Sequence, residues 1–247
     1  MKVSIITAVF NGGDSIADTL NSVAQQDYPA IEHIVVDGGS TDSTLARIHE
    51  NNERVAAVVS EPDRGVYDAF NKGLRKVSGE VVAFLNCGDT YVSRSVVSHM
   101  VQELSHHGTQ AVFGDLTIVD PENGARTIRN YSSRSFTPRR MAMGLMPAHP
   151  TLFLLREVYR NVGEYDAGFQ IAGDFEFCLR VFARRNTPYR YVQEPLVRMP
   201  RGGLSNSGWR SKWRITREMQ RACAINGIHT NLARLCLRFP LKLLELV

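Results

Sequence analysis

Apolar positions along the first ninety residues alternate between two periods. Val3 to Val9 is rich in β-branched residues and predicts a strand. Ile16, Leu20, Val23 and Ala24 then fall on one face of a helix that Asp14 or Ser15 can cap, and Pro29 follows its end. Ile31 to Val36 predicts a second strand, and Ser40 or Thr41 a cap for a second helix carrying Leu45 and Ile48. Val55 to Ser60 reads as a third strand. Val66, Phe70, Leu74 and Val77 recur at helical spacing, and Val81 to Leu85 is a continuous apolar run of the kind buried on both faces of a sheet. Four strands joined by three helices imply a mostly parallel sheet, whose ligands bind outside the carboxyl ends of the strands.

After residue 110 the pattern becomes shorter and mixed. Strands are expected near 111 to 119, 126 to 131, 151 to 155 and 189 to 199, with a helix from about Asp174 to Ala183 bearing Phe175, Cys178, Leu179 and Phe182. This reads as an α+β completion of one domain. The segment Pro200 to Gly208 is the single plausible boundary. The expected division is therefore a domain over 1–205 and a basic, amphipathic helical extension over 206–247.

Composition adds little until charge is placed along the chain. The net charge is +4, but residues 201 to 247 hold nine lysines and arginines against Glu218 and Glu245. The basic character is thus C-terminal, and with Trp209, Trp213 and the leucines it fits either a core-packing helix or a segment lying on an anionic membrane surface. No recognition motif accompanies the charge, which argues against nucleic acid. No apolar run approaches the roughly 20 residues of a membrane span. Cys87, Cys178, Cys223 and Cys236 are scattered, without zinc-site spacing. The N-terminus lacks a secretory pattern. The expectation is a cytoplasmic protein, peripheral at the inner face of the plasma membrane.

The loops after the four expected strands carry the chemistry: Phe10-Asn11-Gly12-Gly13, Asp37-Gly38-Gly39-Ser40-Thr41-Asp42, Glu61-Pro62-Asp63-Arg64-Gly65 and Asn86-Cys87-Gly88-Asp89. Each alone is ordinary loop punctuation. Together they put carboxylates and small polar groups on one edge of the sheet.

In order and spacing, SIITAVFNG, VVDGGSTDST, SEPDRGVYDAFNKG, SGEVVAFLNCGD and AGDFEFCLRVF resemble glycosyltransferase family 2, especially its bacterial polysaccharide-synthesis members. The resemblance covers residues 3 to 205. It implies an α/β GT-A fold, Rossmann-like, with a mostly parallel central sheet and helices on both faces. It also implies an inverting transferase that uses a nucleotide-diphosphate sugar, with a UDP-sugar favoured, and a divalent metal, Mg or Mn. The implied acceptor is a glycan or lipid-linked glycan.

The resemblance sets Phe10 and Asn11 beside the nucleotide, with Asp37 and Asp63 as acceptors for base and ribose. Asp89 falls where the family's metal-binding Asp-x-Asp motif ends, although Asn86 and Gly88 stand where many members have carboxylates. Arg64, Asp68, Asn71 and His149 are further candidates for nucleotide-sugar contact. Asp174 takes the catalytic-base position, with Gly173 replacing the acidic residue common before it. Arg201 to Ser205 matches a mobile segment near the site. Asp115 matches a recurrent family feature but reads better as a turn residue. A sugar-phosphate nucleotidylyltransferase is the enzymatic alternative, and a non-catalytic subunit of a polysaccharide assembly complex is the other.

Overall fold

The computed structural model describes residues 1–124, 126–202 and 208–239. Four strands, β1 (Val3–Val9), β2 (Ile31–Asp37), β3 (Val55–Ser60) and β4 (Val81–Phe84), run parallel and are linked by α1 (Ile16–Ala24), α2 (Thr44–Glu50) and α3 (Val66–Leu74). These match the sequence reading closely, with two shifts: α3 ends at Leu74, leaving Val77 beyond it, and the second helix is capped elsewhere. The α2 cap position is Ser43, because Ser40 and Thr41 are held in the loop by Asp37 and Asn11.

The sheet continues with strands of both directions. They are β5 (Thr90–Tyr91), β6 (Ala111–Val119), β7 (Thr127–Tyr131), β8 (Phe153–Leu155) and β9 (Tyr189–Pro200), giving the order β3-β2-β1-β4-β8-β6-β9-β5 with β7 paired to β6. β8 is antiparallel to both β4 and β6, whereas β9 runs parallel to β6 across irregular register near Asp115. Asp115 therefore lies inside a strand and not in a turn. Its carboxylate accepts from the Tyr191 hydroxyl and the Ser133 amide, filling the gap that the irregularity opens.

Helices α4 (Val96–Leu104) and α5 (Arg156–Val162) complete the layers, and neither was anticipated. The expected helix after Gly173 is α6 (Gly173–Cys178), which continues as a π-helical turn over Leu179–Arg184. α7 (Gly208–Ile225) and α8 (Leu232–Cys236) follow. Among the described residues no helix is long and apolar enough to cross a membrane.

Alternation along the strands sends side chains to two apolar layers. Val3, Ile5, Val81 and Ala83 face α4, while Ile6, Ile34, Val82 and Phe84 face α3, α6 and α7. Phe84, Phe113, Phe153, Phe175, Phe177 and Phe182 are fully buried, each worth about 1.5–3 kcal/mol of apolar transfer. Met219, Ala222 and Cys223 of α7 belong to the same layer as Phe175 and Cys178, so this helix packs on the core. The expected boundary at 205 lies outside the described residues.

At the amino ends of the strands a buried polar anchor closes the sheet. Burial opposes ionisation of Glu32, but hydrogen bonds from Lys2, Ser4 and Ser78 outweigh it and hold the carboxyl at about 2.

Candidate active site

At the opposite, carboxyl ends of the strands the loops interlock. Asn11 adopts a left-handed φ of 49°, which asparagine tolerates better than most residues. From there its amide donates to Ser40 Oγ (2.7 Å) and its Oδ1 accepts from Thr41 N (2.9 Å). Gly12 N donates to Thr44 Oγ1 and Gly13 N to Asp42, so the loops after β1 and β2 form one unit. Gly38 lets the third loop join them. A side chain there would collide with the Asp63 carboxylate and come within 3.4 Å of the Phe10 ring. The fourth loop is tied in through Cys87 beside Ser15 (3.3 Å) and Gly88 N on Thr19 Oγ1 (2.9 Å).

Within this unit the candidates divide into exposed groups and buried, supporting ones. Phe10 is 64% exposed, a large aromatic face left bare beside Asp63. Asp63 accepts from Gly65 N (2.8 Å), and Arg64, 81% exposed at its side chain, pairs with Asp68 (3.5 Å). Asp37, in contrast, is fully buried and accepts from Ser40 N and Ser60 Oγ, so it braces the loop from below.

Asn71 and His149 also turn inward. Both ends of the Asn71 amide are taken by the Tyr165 backbone, at 2.8 and 2.9 Å. His149 Nε2 meets the Tyr165 hydroxyl at 2.8 Å with its ring against Phe70, and burial pushes the imidazole down to about 4. It is neutral at pH 7 and brings no charge to a phosphate. Both residues hold the wall on which Tyr67 stacks over Tyr165.

Asp89 and Asn86 stand apart in their electrostatics. Burial pushes the Asp89 carboxyl up to about 8, against the lowering effect of the Asn86 backbone amide. Asn86 Oδ1 is a buried acceptor with no hydrogen-bond partner. The unpartnered Asn86 oxygen and the buried Asp89 carboxylate, both in the loop after β4, suit a hard divalent cation. Among the described residues there is no cluster of three His, Cys, Asp or Glu that could hold an ion by itself.

Asp174 enters from the other half of the molecule. It is partly exposed in the first turn of α6, and its Oδ1 accepts from Phe175 N (2.7 Å). Tyr67, from α3, donates to Ile171 O (2.5 Å) and lies 3.4 Å from Asp174 Oδ1. Burial and the Asp174 charge raise the Tyr67 pKa and keep it a neutral phenol. The glycine before Asp174 has a steric cause: a Cβ at Gly173 would sit 2.7–2.9 Å from the Tyr67 ring. Of the expected mobile segment, Arg201 and Gly202 are described, and the rest lies outside the described residues.

The sheet order, the strand-end loops and the carboxylate brought opposite them define a nucleotide-sugar transferase fold of the GT-A class. The chain belongs to glycosyltransferase family 2, whose model matches residues 4–163. An uncharacterised glycosyltransferase of Mycobacterium tuberculosis is 35% identical over 182 residues, covering 72% of this chain and 68% of that one. A PGL/p-HBAD biosynthesis glycosyltransferase of Mycobacterium bovis is 27% identical over 209 residues, 83% of this chain and 79% of that one. The fold is shared with S. aureus TarS 1–349 in complex with UDP-GlcNAc, at TM-score 0.70 and 18% identity over 90% of this chain and 66% of that one. It is also shared with the mannosyltransferase PcManGT of Pyrobaculum calidifontis bound to GDP-Man and Mn²⁺, at TM-score 0.64 and 22% identity, covering 90% and 63%. The chain thus spans about two thirds of these solved structures.

Proposed function

We propose that the chain transfers a sugar, with inversion, from a nucleoside-diphosphate sugar to a hydroxyl of a glycan or lipid-linked glycan. The observation that carries this reading is the partly exposed Asp174, held by Tyr67 against the loops that end the parallel strands. Phe10 offers a face for the base, and Asn11 and Asp63 offer polar contacts to the nucleoside. Arg64 and Asp68 flank the diphosphate, while Asp37, Asn71 and His149 fix the floor beneath it. A UDP-sugar donor is supported by the UDP-GlcNAc complex of the TarS fold relative.

Asp89 and Asn86 would hold a divalent cation beside the diphosphate. That ion, when bound, neutralises charge developing on the leaving group. Asp174 accepts the proton of the acceptor hydroxyl as its oxygen bonds to the anomeric carbon. The bond from that carbon to the diphosphate oxygen breaks on the opposite face, and the electron pair leaves with the diphosphate.

Exposed Trp213, Ile225, Leu237 and Phe239 beside C-terminal cations support reversible docking on an anionic membrane. Removal of residues 240–247 together with Trp213→Ala should reduce recovery on phosphatidylglycerol vesicles; unchanged recovery would oppose docking.

A thermal-shift screen of UDP- and GDP-sugars with and without Mn²⁺ tests the donor reading. A ligand at a hundredfold excess over its Kd raises stability by about 2.7 kcal/mol. Stabilisation by a nucleotide sugar that requires Mn²⁺ is the expected result, and indifference to all of them would refute it.

A further inference from the structure

Glu218 is the one acidic residue of α7, a helix otherwise studded with cations. Its carboxylate accepts three consecutive backbone amides: Gln170 N at 3.2 Å, Ile171 N at 2.9 Å and Ala172 N at 2.8 Å. These amides lie immediately before Gly173 and Asp174. Ile171 is pinned from both sides, its N–H by Glu218 and its carbonyl by Tyr67. Neighbours one turn away on the same face of α7 grip the rest of the loop. Arg214 donates to Gln170 Oε1 (2.9 Å), and Arg221 donates to Gly168 O (3.2 Å) with its guanidinium 4.6 Å from the centre of the Phe169 ring. Farther along, Asn226 donates to Glu176 Oε1 (3.1 Å) on α6 itself.

We infer that Glu218 is a positioning residue for Asp174, so that the C-terminal helix is part of the catalytic apparatus and not an appendage. This rests on the reading of Asp174 as the general base. Charge-assisted hydrogen bonds to backbone amides are the strong kind, and three of them leave the loop one arrangement. Without them the amides of residues 170–172 lose their shared acceptor, and the backbone leading into Asp174 is held chiefly by Tyr67 and by the flanking grip of Arg214 and Arg221. Misplacement of a reacting group by about 1 Å can cost as much as 10²-fold.

The test combines a double-mutant cycle with amide exchange in the full chain. Hydrolysis of UDP-GlcNAc or GDP-mannose with Mn²⁺ is followed in the wild type, Glu218→Ala, Asp174→Asn and the double variant. Glu218→Ala should lower kcat roughly 10- to 100-fold with donor KM unchanged, and should speed hydrogen exchange at residues 170–172 while the core stays protected. Glu218→Gln, which retains one acceptor oxygen, should fall between, and it replaces the alanine variant if that one fails to fold. The double variant should be no slower than Asp174→Asn, because Glu218 acts through Asp174. Multiplying losses, a rise in KM without loss of kcat, or unchanged exchange at residues 170–172 would each overturn the proposal. Full turnover by Asp174→Asn would instead overturn the base assignment, a result distinct from additivity.

Discussion

The two halves of the sheet build their chemistry differently. In the parallel half, β1 to β4 deliver four loops to one edge, and the loops tie to each other by short hydrogen bonds such as Asn11 to Ser40 and Gly12 to Thr44. In the mixed half, Asp174 lies against Tyr67 of α3, and the loop that leads into it is held by Glu218 of α7, elements far apart in sequence. The donor site we propose in the first half is a local property of strand ends. The base we propose in the second half depends on tertiary packing, and its fragility is the more informative thing to probe.

The sharpest way to break the comparison is Asp174→Asn. The amide is nearly isosteric and cannot accept the proton, so kcat should fall roughly 10²- to 10⁴-fold in nucleotide-sugar turnover with the fold intact by circular dichroism. Asp89→Ala should cost about 10- to 100-fold in Mn²⁺ affinity, read by titrating Mn²⁺ into the UDP-bound protein. Turnover at saturating donor but trace Mn²⁺ should drop with it.

Two smaller effects concern stability. Gly173→Ala pushes a methyl into the Tyr67 ring and should destabilise by about 1–3 kcal/mol in urea unfolding, the usual cost of overpacking. Glu32→Gln should cost about 1.5–3 kcal/mol at neutral pH, the range for hydrogen bonds to charged groups. The Glu32 carboxyl is held at about 2 in the folded chain against an ordinary 4.5, so its contribution is complete above 4.5 and fades as pH falls toward 2. The glutamine variant should lose that part of the acid dependence, visible as a flatter stability curve between pH 4.5 and 2.

The same contrast governs what could be read from the chain. β1 to β4 are runs rich in β-branched and other apolar residues followed by polar loops, and hydrophobic period alone finds them within a residue or so. The strand-end loops follow, since parallel topology fixes where the carboxyl ends lie. In the mixed half every strand but the two-residue β5 is visible, but their order is not, because β8 inserts between β4 and β6 by pairings made at long range. Helix α4 is amphipathic, but its pattern sits between the continuous apolar run of β4 and the longer strand β6.

Individual residues tell the same story. Asn71 draws attention in sequence because it flanks the apolar stripe of α3, and His149 because its position before a strand matches the family; what the sequence does not show is the shared partner, Tyr165, up to 94 residues away. Asp115 resembles a turn residue because nothing local reveals the Tyr191 hydroxyl that it serves. Glu218 carried one usable signal, a solitary acid in a basic helix, but charge counting treats it as an exception to the pattern. Its purpose becomes visible only when the loop before Asp174 is laid against it.

The division of labour between the halves is tested most directly by the affinity of Asp174→Asn for UDP with Mn²⁺, measured by titration calorimetry beside Asp89→Ala. Donor binding should match the wild type in Asp174→Asn and be weakened in Asp89→Ala. Loss of UDP binding in Asp174→Asn equal to that in Asp89→Ala would contradict the account, because Asp174 would then belong to the donor site and not to the base that faces it.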